Sequence, residues 1–279
     1  MEFKELGKSA QKIPVLGLGT WGIGGFSTRY LGGGDEEGVR ALKLGIELEM
    51  RFIDTAEMYA GGHSEEVVAK AVKSQRKEVF IATKVSPEHL RYDDVLKSCE
   101  SSLGRLETNY IDLYQVHWPN PSTPIAETMK AMEHLAAEGK IRHIGVSNFS
   151  VRQTREAQEA LSKSSLASNQ VEYSLLDRSI ETGLLPYAEK EHITIIAYSP
   201  IAKGEIPKGR RGQRWQSLDK IASKYNKTRA QVALNWLIAK KPVVAIPKAA
   251  SLNHIRENAG GAGWQMSKQD RDKLSEAFH

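Results

Sequence analysis

One cysteine, Cys99, stands among 279 residues, so no disulfide forms within the chain and a reducing, cytoplasmic setting is expected. Cys99 falls in an amphipathic helical stretch, where a small apolar filler is a better reading than a nucleophile. Long apolar runs are missing too. Nothing approaches the ~20 residues needed to span a bilayer, and the opening MEFKELGKSAQK is too charged for a secretory leader. No membrane partner is expected, and without export the triplets Asn148-Phe149-Ser150 and Asn226-Lys227-Thr228 carry no weight as glycosylation sites. Charge of one sign is in modest excess, +5, and the basic residues are mostly interleaved with acidic ones along helical faces. The run from Lys203 to Arg214 is the exception. A nucleic-acid partner is therefore not expected, and a small anion such as a nucleotide phosphate is the more economical one.

What is present is ordinary globular material, 40% hydrophobic and 26% charged, enough for one large domain over residues 1–279. Apolar, β-branched runs at 16–20, 52–55, 80–84, 111–117, 143–148, 168–173, 194–200 and 243–248 read as strands buried on both faces. Helical patterns alternate with them near 35–49, 64–75, 92–106, 124–138, 150–162, 180–191, 216–239 and 250–258. Ser64, Ser150 and Ser267 stand where helix N-caps are expected. Eight strand–helix units without a composition shift predict a (β/α)8 TIM barrel. Residues 2–15 add an N-terminal β-hairpin around Gly7-Lys8-Ser9, plugging the barrel bottom, and 267–278 an appended C-terminal helix.

Gly17, Gly19 and Gly22 spell G-x-G-x-x-G after an apolar run. A Rossmann site needs a helix to begin within that motif so that its N-terminus holds the pyrophosphate. Here no helical pattern starts before about Asp35, and the glycines more simply permit a close turn at the top of the first strand.

In a TIM barrel the C-terminal strand ends carry the active site. Strand two ends in Asp54 with Tyr59 in the loop beyond, strand three ends in Lys84, and strand four ends in His117. Singly each has a bland explanation: Asp54 as a helix cap, Lys84 reaching solvent, His117 as a satisfied core histidine. Together an acid, a phenol, an amine and an imidazole make a site. Hydride addition to a carbonyl creates an alkoxide that needs a proton. A free phenol, with pKa near ~10, is a poor donor at neutral pH. An ammonium at Lys84 would lower it, Asp54 would hold Lys84, and His117 would orient and polarise the carbonyl. No metal is expected, since no second His or Cys lies at ligand spacing. A Schiff-base isomerase or aldolase using Lys84 is the competing chemistry.

The chain resembles the aldo-keto reductases over almost its whole length. The resemblance is carried by Gly17-Leu18-Gly19-Thr20-Trp21, Phe52-Ile53-Asp54-Thr55-Ala56-Glu57-Met58-Tyr59, Ile81-Ala82-Thr83-Lys84, Ile111-Asp112-Leu113-Tyr114-Gln115-Val116-His117-Trp118-Pro119 and Ile144-Gly145-Val146-Ser147-Asn148-Phe149. Asn169-Gln170, Ala197-Tyr198-Ser199-Pro200 and Ile246-Pro247-Lys248 continue it. The family's Asp, Tyr, Lys and His tetrad falls on Asp54, Tyr59, Lys84 and His117.

The resemblance implies NADPH, extended across the barrel top, with NADH as a possible substitute. Gly19, Thr20, Trp21 and Asp54 would border it. Tyr198 would stack on one nicotinamide face, unless it is plain core. Ser147, Asn148 and Gln170 would take the carboxamide, although Asn148 also suits a turn. Ser199, Pro200, Ile201, Ala202 and Lys203 would wrap the pyrophosphate, with 204–212 as a loop closing over it. Lys248, at a strand end leading into a helix, suits a 2′-phosphate, flanked by Ile246 and Pro247. Here the sequence departs from the family. Ala249 and Ala250 replace a common hydroxyl and His254 replaces an arginine, with Ser251 or His254 as partial compensation. Glu257 and Asn258 match adenine contacts. Trp21, Phe26, Tyr30, Tyr59, His117 and Trp118 would line the substrate pocket, with Trp118 alternatively a rim residue. The chain stops soon after its last helix, so an open pocket with broad specificity for small aldehydes is expected, aryl and sugar-derived ones included. The other function implied is an NADPH-binding sensor with weak turnover. A monomer is expected.

Overall fold

The computed structural model describes residues 1–29 and 34–279. Two short strands, β1 (Phe3–Glu5) and β2 (Lys12–Pro14), pair antiparallel as the expected hairpin. Then follow β3 (Leu18–Gly19), α1 (Asp35–Glu47), β4 (Phe52–Asp54), α2 (His63–Val72), β5 (Phe80–Val85), α3 (Tyr92–Arg105), β6 (Ile111–Val116) and α4 (Ile125–Ala137). The second half contributes β7 (Ile141–Ser147), α5 (Val151–Ala160), β8 (Leu166–Glu172), α6 (Leu184–Glu191), β9 (Thr194–Tyr198), α7 (Glu205–Lys208), α8 (Gln213–Tyr225), α9 (Arg229–Ile238), β10 (Val243–Ala245), α10 (Leu252–Ala259) and α11 (Lys268–Ala277). Strands β3 to β10 are parallel and adjacent in chain order. The ring closes where Gly17 N–H donates to Ala245 O (2.8 Å) and Ala245 N–H to Val15 O (2.9 Å). This is the (β/α)8 barrel.

Period-two alternation sorts each strand into an outward and an inward face. The outward residues pack against the helices in one large apolar cluster. The inward ones form a second: Phe52, Phe80, Ala82, Leu113, Ala167, Ile196, Val244 and Ile246, joined by Leu6 and Ile13 of the hairpin. The hairpin therefore plugs the bottom of the barrel. Lys4 fastens it, its ammonium donating to Ile238 O, Lys240 O and Val243 O at 2.6–2.7 Å. Two residues beyond Phe52, Ala82 and Leu113, on the same inward face, come Asp54, Lys84 and Gln115. The apolar plug gives way to a polar upper layer.

Several expected boundaries move. The stretch 216–239 is two helices, because Asn226 takes a left-handed φ of 51° after α8 and Thr228 opens α9 with a capping box to Gln231. The sixth helix begins only at Leu184, after a short 3-10 turn over Ser179–Thr182. Ser150 and Ser267 cap α5 and α11 as expected, but Ser64 lies inside α2 and its hydroxyl donates to Ile23 O instead. No helix begins in the glycine motif. At Gly17 a Cβ would lie 2.6 Å from Phe52 O, and at Gly19 2.9 Å from Ile246 O, so these two glycines serve strand packing. Cys99 is buried, its thiol pushed up to about 12 by burial first and Glu100 next. No helix among the described residues is long and apolar enough to cross a membrane.

Candidate active site

The upper layer is built around a buried ion pair. Lys84 Nζ lies 2.6 Å from Asp54 Oδ1, donates to Thr55 O at 2.8 Å and reaches Tyr59 Oη at 3.3 Å. Lys84 is fully buried and Asp54 nearly so. Burial pulls the lysine downward, but the Asp54 carboxylate and the Tyr59 oxygen outweigh it and hold the ammonium above its ordinary range. The other Asp54 oxygen, Oδ2, accepts from Gln170 Nε2 (2.7 Å) and Gln115 Nε2 (3.3 Å). The carboxylate is thus satisfied on both sides, as a charge in this setting must be.

Tyr59 stands in a tight turn, Tyr59–Gly62, whose next two residues, Ala60 and Gly61, are left-handed. The turn swings the phenol back over Lys84. The expected lowering of its pKa is not the net result. Burial comes first and raises the phenol above its usual value, with Asp54 adding to it and Lys84 pulling the other way. The hydroxyl therefore keeps its proton at neutral pH, the state a proton donor needs. His117 lies beside it, ring centroids 5.5 Å apart at 72°. Burial, then the Lys84 charge, pushes His117 down to about 2, so the imidazole is neutral, and its Nδ1 is buried without a partner among the described residues. Trp118 stacks on it at 4.5 Å and 16°. The four expected residues thus meet at one point.

Around this point the predicted pocket is aromatic. Trp21 packs edge-on to Tyr59 (5.0 Å) and Phe26 (5.9 Å). Trp21, Phe26 and Trp118 are 44%, 63% and 42% exposed, so they form an open mouth. Tyr30 lies outside the described residues.

The residues expected to hold the cofactor are partly engaged with one another. Asn148, left-handed at φ 62°, donates from Nδ2 to His117 O and Ser147 Oγ (3.0 Å each), and its Oδ1 accepts from Tyr198 Oη (3.1 Å). Ser147 Oγ donates to Gln170 O at 2.9 Å. Tyr198 is half-buried at the end of β9, its phenol pushed up to about 12 by burial, then Glu172. Asn169 turns outward to Phe149 O and Thr154 Oγ1, so it shapes the strand end. Beyond β9, Ser199, Ala202 and Lys203 are left-handed, at φ 49°, 50° and 52°. Such turns gather backbone N–H groups into an anion-binding concavity. Ile201 lies between them, and Pro200 is buried. Residues 204–212 carry the short helix α7, with Arg229 donating to Lys208 O. Thr20 Oγ1 and Asn258 Nδ2 are buried without partners among the described residues. Lys248 is exposed, bridged to Gly19 where the barrel closes, ahead of α10. Ile246, Pro247 and Ala249 are buried around it, His254 is exposed and Glu257 half-buried. Ser251 caps α10, its oxygen accepting from His254 N–H. These buried polar atoms, the left-handed turn and the exposed lysine suit a dinucleotide with several anionic groups.

Against known proteins, residues 15–278 match the model of the aldo/keto reductase family. This chain belongs to that family. It is 39% identical to the methylglyoxal reductase YeaE of Escherichia coli, over 95% of this chain and 91% of that protein, and 34% identical to a glyoxal reductase of Bacillus subtilis, over 94% and 88%. Among solved structures it superposes on the thermostable aldo-keto reductase Tm1743, in complex with the inhibitor epalrestat, with TM-score 0.94 and 44% identity, covering 99% of this chain and 100% of that one. A Klebsiella pneumoniae aldo/keto reductase in complex with NADP and acetate gives TM-score 0.87 and 36% identity, over 99% and 95%. The aldo-keto reductase described here is accordingly an oxidoreductase that reduces carbonyl compounds.

The tetrad was legible from residue types at strand ends. Gln115 was not singled out. Its signal was period two: it follows Leu113 on the inward face of β6, two residues before His117, an amide where the lower part of that face is apolar.

Proposed function

We propose that this aldo-keto reductase reduces small aldehydes, 2-oxoaldehydes such as methylglyoxal among them, with Tyr59 as proton donor. NADPH is the cofactor. When bound it supplies the hydride that adds to the carbonyl carbon. The observation that carries the reading is the Lys84 ammonium held between Asp54 and Tyr59, at 2.6 and 3.3 Å, beneath an open aromatic mouth. As negative charge develops on the carbonyl oxygen, Tyr59 passes its proton to that oxygen, and Lys84 compensates the phenolate left behind. Neutral His117 donates a hydrogen bond to the same oxygen and so fixes the carbonyl's orientation. A charged imidazolium would compete for the proton donor's role, and the low value at His117 removes that competition.

Tyr198 offers a flat face for stacking, and Ser147, Asn148 and Gln170 offer hydroxyl and amide groups for a carboxamide. The left-handed turn at 199–203 and Lys248 with the start of α10 would hold the pyrophosphate and the 2′-phosphate. The substrate reading is supported by the reductases of methylglyoxal and glyoxal it resembles and by the apolar width of the mouth. A soluble, cytoplasmic monomer without nucleic-acid partners completes the proposal. NADPH consumption over a panel of aldehydes and ketones tests it. Turnover is expected, fastest on small and aryl aldehydes. Tight NADPH binding with negligible consumption across the panel would instead make this chain a cofactor sensor.

A further inference from the structure

Directly after the Tyr59 turn, the first residue of α2 is a buried histidine that the chemistry above leaves unused. His63 is 4% exposed. Its Nδ1 lies 2.7 Å from Glu66 Oε2, and its Nε2 lies 2.8 and 2.9 Å from the two oxygens of Asp35, the first residue of α1. Both ring nitrogens are therefore engaged, and the imidazole bridges α1 and α2 through two carboxylates. The charged groups facing it are Asp35 from α1, Glu66 from α2, and Lys70 of α2, whose Nζ reaches Asp35 Oδ2 at 3.2 Å. Arg105 of α3 lies near but is engaged with Glu65 at 2.6 Å.

What the clasp holds is the aromatic wall. In the segment 21–29, Phe26 O accepts from Ala60 N–H at 2.6 Å and Ile23 O from the Ser64 hydroxyl. Between them Gly24, at φ +78°, sits against the histidine: a Cβ there would come 2.9 Å from His63 Cδ2. Trp21 and Phe26 therefore ride on a segment anchored to residues 60–64, and His63 ties that anchor to the start of α1.

We infer that His63, bridging Asp35 and Glu66, is a positioning residue for the carbonyl substrate: it fixes the Trp21–Phe26 wall without touching the reacting atoms. This rests on the reading of that wall as the substrate mouth. Removing the bridge loosens the wall and weakens substrate capture, while Tyr59, Lys84 and His117 keep their own contacts.

The test is KM and kcat for one small aldehyde, on the full chain with saturating NADPH. His63→Gln, which cannot bridge both carboxylates, should raise KM roughly tenfold, as expected for losing a hydrogen bond to a charged group, with kcat within about twofold. Asp35→Asn keeps the shape of the first residue of α1 but weakens one arm of the bridge, and should raise KM in the same direction by less. It decides the matter even if His63→Gln fails to fold. An unchanged KM in either variant, or a fall in kcat as large as the rise in KM, would overturn the inference. Absence of any carbonyl turnover would instead overturn the proposed function and the KM claim with it, while the positions of Trp21 and Phe26 in a crystal structure of Asp35→Asn still report on the clasp.

Discussion

Replacing Tyr59 by phenylalanine removes one oxygen from a nearly buried ring. Lys84 then loses its contact at 3.3 Å but keeps Asp54 at 2.6 Å and Thr55 O at 2.8 Å. The buried ammonium therefore stays compensated, and the ring contacts to Trp21 and His117, at 5.0 and 5.5 Å, do not use the hydroxyl. Stability should change by no more than about 1 kcal/mol. The proton transfer, by contrast, has no substitute nearby, because His117 is neutral and Lys84 is locked to Asp54. General-acid loss of this kind costs about 10²–10⁴ in rate, or roughly 2.7–5.4 kcal/mol of barrier. Single-turnover stopped-flow of NADPH oxidation reads the chemical step, and quenching of tryptophan fluorescence reads cofactor affinity. The expected result is a lost chemical step with cofactor affinity within about twofold. A chemical step within threefold of the unsubstituted enzyme would remove Tyr59 from the donor role. An equal loss of cofactor affinity would recast it as a binding residue.

Four further outcomes follow from the same geometry. Lys84→Ala leaves the Asp54 carboxylate buried with only two amide donors, so unfolding by urea should show a loss of about 3–5 kcal/mol together with lost activity. The kcat for reduction should be level through neutral pH and fall only above the ordinary phenol range near ~10, because the donor must be protonated and burial raises Tyr59. The low value at His117 adds no acid limb, and a kcat limb centred between about pH 6 and about pH 9 would contradict both assignments. Lys248→Ala should weaken NADPH about ten- to a hundredfold and leave NADH nearly unchanged in equilibrium titrations, the scale of one lost hydrogen bond to a charged group. Gly145→Ala places a Cβ 2.5 Å from Ser168 Oγ and 2.9 Å from Gln115 Cγ. It should cost about 1–3 kcal/mol in thermal unfolding through overpacking under the Asp54 network.

Much of the barrel could be read from the chain, because strands buried on both faces leave short apolar runs that alternate with longer helical patterns. The tetrad was equally visible, since polar residues that end such runs stand out. The break at Asn226 was missed because the apolar spacing of α8 continues in phase into α9. Thr228-Arg229-Ala230-Gln231 nevertheless carries the capping box that marks a fresh start. Ser64 misled in the opposite way: a hydroxyl before two glutamates fits an N-cap, but Gly62 and His63 already open the helix. The sign of the Tyr59 shift was not legible at all. Opposite charges can be counted in a sequence, while burial of the phenol is a property of the turn over Tyr59–Gly62 and of the Trp21 packing on it. The pairing of Gln170 with Asp54, 116 positions apart in sequence, likewise depends on barrel closure.

The most direct test is the crystal structure of this enzyme with NADP+ and a carbonyl-mimicking inhibitor. The carbonyl-like oxygen should lie within hydrogen-bond distance of both Tyr59 Oη and the His117 ring, with the nicotinamide stacked on Tyr198. A dinucleotide bound away from Tyr198, or an inhibitor oxygen out of reach of Tyr59, would contradict the proposed chemistry.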